Sequence, residues 1–173
     1  MSILPDLLSA DLSVVFCGTA VSTTSAARGH YYSKPSNKFW QLLHDAGFTP
    51  DLMRPEDDVA LPSLGLGITD LVKDKAQSHD RGLDYGKTTT VVAHIAAHAP
   101  RWVAFNGKAA GGVAAKALGQ PKPWLGIQPW TIGTSRVFVL PSSSGANARR
   151  DYDGRPTKLE WWVDLARLVK EED

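Results

Sequence analysis

One cysteine among 173 residues, Cys17, rules out an internal disulfide, so the fold is held by its core rather than by covalent staples. Nineteen Lys and Arg stand against eighteen Asp and Glu, a net charge of +1. A strong uniform field is thereby excluded, and a polyanion would have to be held by a local patch. No apolar run approaches the ~20 residues that span a bilayer, and no signal-peptide pattern opens the chain. A protein without membrane association in a reducing, cytoplasmic setting is expected. There is no internal repeat, and the length predicts a single domain over residues 1–173. Cys17 itself has no cationic neighbour in sequence to activate it, and reads as a small buried hydrophobe.

What the chain does have is a concentrated stretch from Val14 to Trp40. An apolar Val-Val-Phe-Cys run is followed by small residues, Gly18-Thr-Ala-Val-Ser22, and then by Gly29-His-Tyr-Tyr-Ser-Lys-Pro-Ser-Asn-Lys-Phe-Trp40. A short apolar run leading into small residues is how a buried parallel strand delivers backbone to a site at its carboxyl end. Strands are predicted at Ser13–Phe16, Trp102–Phe105 and Val137–Leu140. Residues 18–29 read as a loop. Helices are predicted from an N-cap at Ser36 to Gly47, over Leu83–Ala99, from Asn106-Gly107 to near Gly119, and over Thr157–Val169. The last of these shows Trp161, Trp162, Leu165 and Leu168 as its inner face. Alternation of strands and helices predicts an α/β three-layer sandwich, with a central mainly parallel sheet of four or five strands flanked by helices. Three polar turns then meet at the strand carboxyl ends: Gly18–Ser22, Asp70, and Ser142–Gly145.

Two motifs carry less than they promise. Gly82-Leu-Asp-Tyr-Gly86-Lys87-Thr88 is one residue short of a phosphate-binding loop and has no strand before it. His94 and His98 have the spacing of a zinc helix, but Ile95 stands where the catalytic base would be, so no metal is called for. Other residues leave two readings open. Asp70, in Gly67-Ile-Thr-Asp-Leu-Val72, is either a cap for the next turn or a functional carboxylate at a strand end. Tyr31 and Tyr32 suit packing or stacking on a planar ring. The serine turn offers hydroxyls and amides to a phosphate or simply faces solvent, and Arg149 and Arg150 are solvated charges or lie over a nucleic-acid backbone.

Together these residues resemble the mismatch-specific uracil-DNA glycosylase family, the branch of the uracil-DNA glycosylase superfamily that includes the thymine-DNA glycosylases. Pro35-Ser-Asn-Lys-Phe-Trp40 is similar to the family's Pro-Ala-Asn-Arg-Phe-Trp, and His44-Asp-Ala-Gly-Phe48 to its Gln-Ala-Gly-Phe. Gly67-Ile-Thr-Asp-Leu-Val72 is similar to its Gly-Val-Thr-Lys-Leu-Val. Trp130-Thr-Ile-Gly-Thr134 and Val139-Leu-Pro-Ser-Ser-Ser-Gly145 match the end of the fold. The resemblance implies a monomeric, cofactor-free DNA repair enzyme. Its partner is DNA containing uracil or mismatched bases, from which it flips a base and hydrolyses the N-glycosidic bond.

The departures are as informative. The family's first motif reads Gly-Ile-Asn-Pro-Gly, and here Ala20 stands at the position of the Asn that places the attacking water. Asp70, replacing a Lys of the family pattern, is the expected substitute, with Asn37 as runner-up. By position, the resemblance puts Tyr32 as the stacking platform, Gly18, Thr19 and Ala20 as readers of the base edge, and Ser142 in place of a second-motif Asn. Ser143, Ser144 and Gly145 fall to the DNA backbone. Ala146 occupies the wedge position but is too small to fill a vacated stack, which leaves Asn147 or Arg149 for that task. A glycosylase for another deaminated base such as hypoxanthine, a non-catalytic binder of damaged or abasic DNA, and a nucleotide-binding domain unrelated to repair are the alternatives.

Overall fold

The computed structural model describes residues 2–172. Five strands form one sheet in the order β2-β1-β3-β5-β4: β1 Val14–Gly18, β2 Leu66–Asp70, β3 Trp102–Asn106, β4 Gly126–Ile132 and β5 Ser135–Leu140. The first four in that order run parallel, and β4 closes the edge antiparallel to β5.

Strands β1 and β3 in the interior of the sheet and β2 at its edge are buried at every position, and their mostly apolar sequences suit strands covered on both faces. Side chains alternate between two cores. Val14, Phe16, Trp102, Ala104, Phe138 and Leu140 face α2 (Phe39–Asp45), α5 (Lys158–Glu172) and a 3₁₀ segment, Pro55–Leu64. Cys17, Val103, Phe105, Val137 and Val139 face α3 (Thr88–His98) and α4 (Lys108–Ala117). The sandwich therefore has three layers, with the sheet in the middle. Among the described residues no helix is long and apolar enough to cross a membrane.

Several local expectations are corrected. The presumed loop 18–29 contains α1, Thr23–Arg28, started by Ser22 accepting from Ser25 N and stopped by Gly29 at φ 76°. Ser36 does not cap α2. Lys38 is at the N-cap without a side-chain bond, and Asn37 Oδ1 accepts from Phe39 N at 3.0 Å instead. The Leu83–Ala99 helix begins only at Thr88, because Gly82 adopts φ 72° and Asp84 turns the chain by accepting from Gly86 N. Strand β4 was not foreseen. On α5, Ala166 and Val169 are buried with Trp162 and Leu165, whereas Trp161 and Leu168 are only partly covered. His94 and His98 pack edge to face on the surface of α3, 4.8 Å between ring centroids.

One aromatic column links the core to the strand ends. Trp162 stacks on Phe16 at 5.7 Å, Phe16 meets Phe39 edge-on at 5.5 Å, and Phe39 stacks on Tyr32 at 4.1 Å. Such pairs prefer these offset and edge geometries. The column ends where the site begins.

Candidate functional site

Register brings the polar strand ends together. Gly18 and Asp70 are the last paired residues of β1 and β2, and Asn106 ends the neighbouring β3. Three adjacent strands thus deposit a glycine, a carboxyl and an amide at one place. They floor a cleft of about 450 Å³ that Ala20, Tyr32, Asn37, Ser142 and Arg149 also line. A cleft at the carboxyl ends of a parallel sheet is where ligands of such folds bind.

Gly18 explains the close packing of the floor. A Cβ there would lie 2.8 Å from Asp70 Oδ1 and 3.2 Å from the Tyr32 hydroxyl. Only the absent side chain lets both groups close over the same spot. Asp70 is 5% exposed. Burial raises its carboxyl to about 7, with the Lys73 ammonium opposing, the Asp6 carboxylate adding, and the Gly18 backbone opposing. Lys73 Nζ donates to Asp70 O at 2.8 Å and to Asp6 Oδ1 at 2.7 Å, so a cation is fixed immediately behind the carboxyl. An acid held near neutrality can take and return a proton at working pH.

Tyr32 sits at φ 53°, a left-handed backbone that a bulky residue adopts only when its flanks are pinned. They are. Asp58, 3% exposed, accepts from Tyr31 N at 3.0 Å and faces His30 Nδ1 at 3.1 Å. Trp40 Nε1 donates to Tyr31 O, and Ser33 N donates to Ser25 Oγ. One ring face of Tyr32 lies on Phe39 and the residue lines the cleft. Its buried hydroxyl has no hydrogen-bond partner among the described residues. Burial pushes the phenol well above its ordinary range, with the Asp70 carboxyl adding and the Asn106 side chain opposing.

Asn106 was read from sequence only as a turn residue, yet it is central. Its Nδ2 donates to Ser143 Oγ at 2.8 Å and its Oδ1 accepts from Ser143 N at 2.9 Å. One N–H and one oxygen lone pair of the amide remain beyond the Ser143 bonds, and the nearby Tyr32 hydroxyl, too poorly aligned for a full hydrogen bond, is the neighbour a ligand would displace. The signal was its position, a polar side chain directly after an apolar strand, the same logic that singles out Asp70.

The serine turn is internally organised. Ser142 Oγ accepts from Ser144 N, Ser144 Oγ accepts from Ala146 N, and Asn147 Nδ2 donates to Ser142 O. Lys158, drawn down to about 8 by burial, donates to Ser144 O at 2.9 Å. Lys38 N donates to Ser143 O at 2.8 Å, which ties the turn to the Pro35–Trp40 segment. Asn147 is thus bound back into its own loop, whereas Ala146 and Arg149 are exposed at the mouth. Of the first turn, Gly18 O and Thr19 O are engaged by Leu71 N and Val72 N, so contact with a ligand edge falls to its amides and to Ala20. Asn37 lines the cleft, but its Oδ1 is occupied at the start of α2.

Gly145 lies against Ser36: a Cβ would meet Ser36 O at 2.5 Å and Ser36 Cβ at 2.9 Å. Backbone cannot yield as a side-chain tip does, so Gly145→Ala displaces the whole turn. Overpacking of this kind costs about 1–3 kcal/mol. The denaturant midpoint is expected to fall accordingly, with the circular dichroism spectrum retained.

A sequence model of the uracil DNA glycosylase superfamily matches residues 5–166. Among solved structures, the chain resembles the solution NMR structure of a candidate uracil DNA glycosylase from Methanosarcina acetivorans. The two are 23% identical, the match covers 96% of each chain, and the TM-score is 0.56. At that identity the likeness is one of fold.

Proposed function

The chain belongs to the uracil DNA glycosylase superfamily, whose members act on DNA, and from that premise we propose that it excises uracil from DNA by hydrolysis, leaving an abasic site. Thymine in mismatches is a further substrate, as in the mismatch-specific and thymine-DNA glycosylase branch whose motifs the chain resembles. The observation that carries this reading is the buried Asp70 carboxyl on the floor of the cleft, beside the Gly18 gap and the unpartnered Tyr32 hydroxyl.

Excision breaks the bond between sugar C1′ and the base nitrogen and forms a bond from C1′ to a water oxygen, through an oxocarbenium-like state. Asp70 supplies both needs of that state: its negative charge faces the developing cation, and it takes the proton of the attacking water. The departing base carries off the electron pair of the broken bond and spreads the charge onto its carbonyl oxygens. The remaining N–H of Asn106 is a donor for such an oxygen. It favours bases with a carbonyl where cytosine and adenine carry an amino group, and this preference takes in uracil, thymine and hypoxanthine alike. The free face of Tyr32 stacks on the flipped ring, and the Ser142–Gly145 turn holds the backbone. Flipping is least costly at mismatches, so uracil opposite guanine is the best substrate.

The test is release of base from labelled oligonucleotides carrying uracil opposite guanine, uracil opposite adenine, single-stranded uracil, thymine opposite guanine, or hypoxanthine opposite thymine. Uracil release, fastest opposite guanine, is expected. Release of hypoxanthine alone would move the activity to the purine. Binding of every duplex without release would replace the enzyme by a damage binder in which Ala20 marks a lost activity.

A further inference from the structure

The segment that leads into β4 also borders the cleft. Gly126, the first residue of β4, pairs with Val139 near the carboxyl end of β5, so Pro121-Lys-Pro-Trp-Leu125 sits at the same end of the sheet as the site. Leu125 and Lys108 line the cleft. Between buried Pro123 and buried Leu125, Trp124 is 74% exposed.

This exposure does not come from a loose loop. Leu125 N donates to Asp153 Oδ2 at 2.8 Å, and Lys108 Nζ donates to Asp153 Oδ1 at 2.6 Å. Gln128 Nε2 donates to Trp124 O at 2.7 Å and to Gly126 O at 3.0 Å. Lys108 Nζ stands 5.2 Å from the indole centroid. Single exposed apolar residues are ordinary on protein surfaces. Trp124 differs in that its backbone is fixed on both sides and its ring is held beside a cation at the rim of a cleft. A rigidly presented aromatic loses little freedom when it is covered.

Resting on the DNA reading above, we propose that Trp124 is a DNA contact, its indole stacking on the nucleotide next to the flipped one. When a base leaves the duplex, its neighbour loses a stacking partner on one face. Ala146, at the mouth, has only a methyl group to offer that face. Trp124 supplies a flat apolar surface with the Lys108 ammonium beside its ring. Stacking of a base on an aromatic side chain is largely indifferent to sequence, so the contact suits an enzyme that must work wherever damage falls.

The experiment is a titration of a fluorescently labelled duplex holding a tetrahydrofuran abasic analogue opposite guanine, which no glycosylase can cleave. Trp124→Ala is expected to bind at least about fivefold more weakly, and Trp124→Phe close to the native protein, given the 1–3 kcal/mol attached to each stacked base. The slope of affinity against salt stays unchanged in both, because no phosphate contact is removed. DNA quenches indole emission in the native protein, and Trp124→Phe loses part of that quenching. Melting temperatures of all three proteins are compared, and the exposed position predicts that they agree. Equal affinity of native protein and Trp124→Ala overturns the inference and leaves the glycosylase reading in place. The same holds if Trp124→Ala alters self-association rather than DNA binding. No binding by the native protein overturns both.

Discussion

Asp70→Asn lowers the rate of uracil release by about 10³-fold while affinity for the abasic duplex is retained. The magnitude is that of removing a positioned general base; Asn keeps the shape and a hydrogen-bonding oxygen but can neither take a proton nor face the sugar cation with a charge. The pH dependence follows from the carboxyl lying near 7. Only the ionised form is active, so kcat/KM of the native enzyme rises through about pH 7 and falls about tenfold per pH unit below it. Stability runs the other way. Because the folded protein holds this proton up to about pH 7 and the unfolded chain releases it near 3.8, stability declines as pH rises between those values. Above pH 7 the folded state carries the full cost of a buried charge. The Asn variant escapes it and melts higher at pH 8, by an amount worth on the order of a few kcal/mol. Gain of stability with loss of turnover distinguishes a catalytic carboxylate from a capping one, whose removal would destabilise. Equal turnover of the two proteins would exclude Asp70 as the base.

Asn106→Ala is expected to lower both stability and activity. Ser143 is fully buried, and the substitution leaves its backbone N–H and its hydroxyl without the partners they now have. A buried group stripped of its partner costs about 1–3 kcal/mol, so the two together lower stability by roughly 2–6 kcal/mol. The serine turn is released from β3 and the donor for the base carbonyl is lost with it. Ser143→Ala is the informative companion. It deletes only the hydroxyl, keeps the Ser143 N to Asn106 Oδ1 bond and the spare N–H, and is expected to lose less of both. Denaturant midpoints and single-turnover rates, measured on both variants, separate the tethering role from the role toward the base. If Asn106→Ala is fully stable and fully active, neither role exists.

The parts of the fold that could be read from sequence are those where local pattern and tertiary environment agree. Val14–Gly18, Trp102–Asn106 and the apolar part of β5 are buried on both faces, and a strand so placed has to be apolar throughout. Strand β4 escaped for the complementary reason. It is an edge strand whose exposed and buried positions alternate irregularly, and Pro129 lies inside the register shift between Ile127 and Thr131, where a missing N–H costs nothing. Helix α1 was hidden by its small residues although Ser22 and Gly29 bracket it as caps. Helix α3 starts later than its sequence pattern suggests because the chain turns at Gly82 and again at Asp84, whose carboxylate accepts from Gly86 N. In the site, Asp70 and the serine turn stood out by residue type. Asn106 did not, since Asn-Gly is also the commonest way to write a turn. Its meaning depends on a partner 37 residues away, Ser143, which no local pattern contains.

Asp70 stands on the last rung of the β1–β2 ladder, buried although β2 is an edge of the sheet. Strand β2 is buried along its length whereas the tip of the loop at Gly145 and Ala146 is exposed, so the loop is expected to open at a smaller free-energy cost than the strand. The groups proposed for hydrolysis and for substrate grip consequently sit in regions of different local stability. A gentle perturbation is therefore expected to blunt the proposed hold on DNA before it reaches the proposed chemistry.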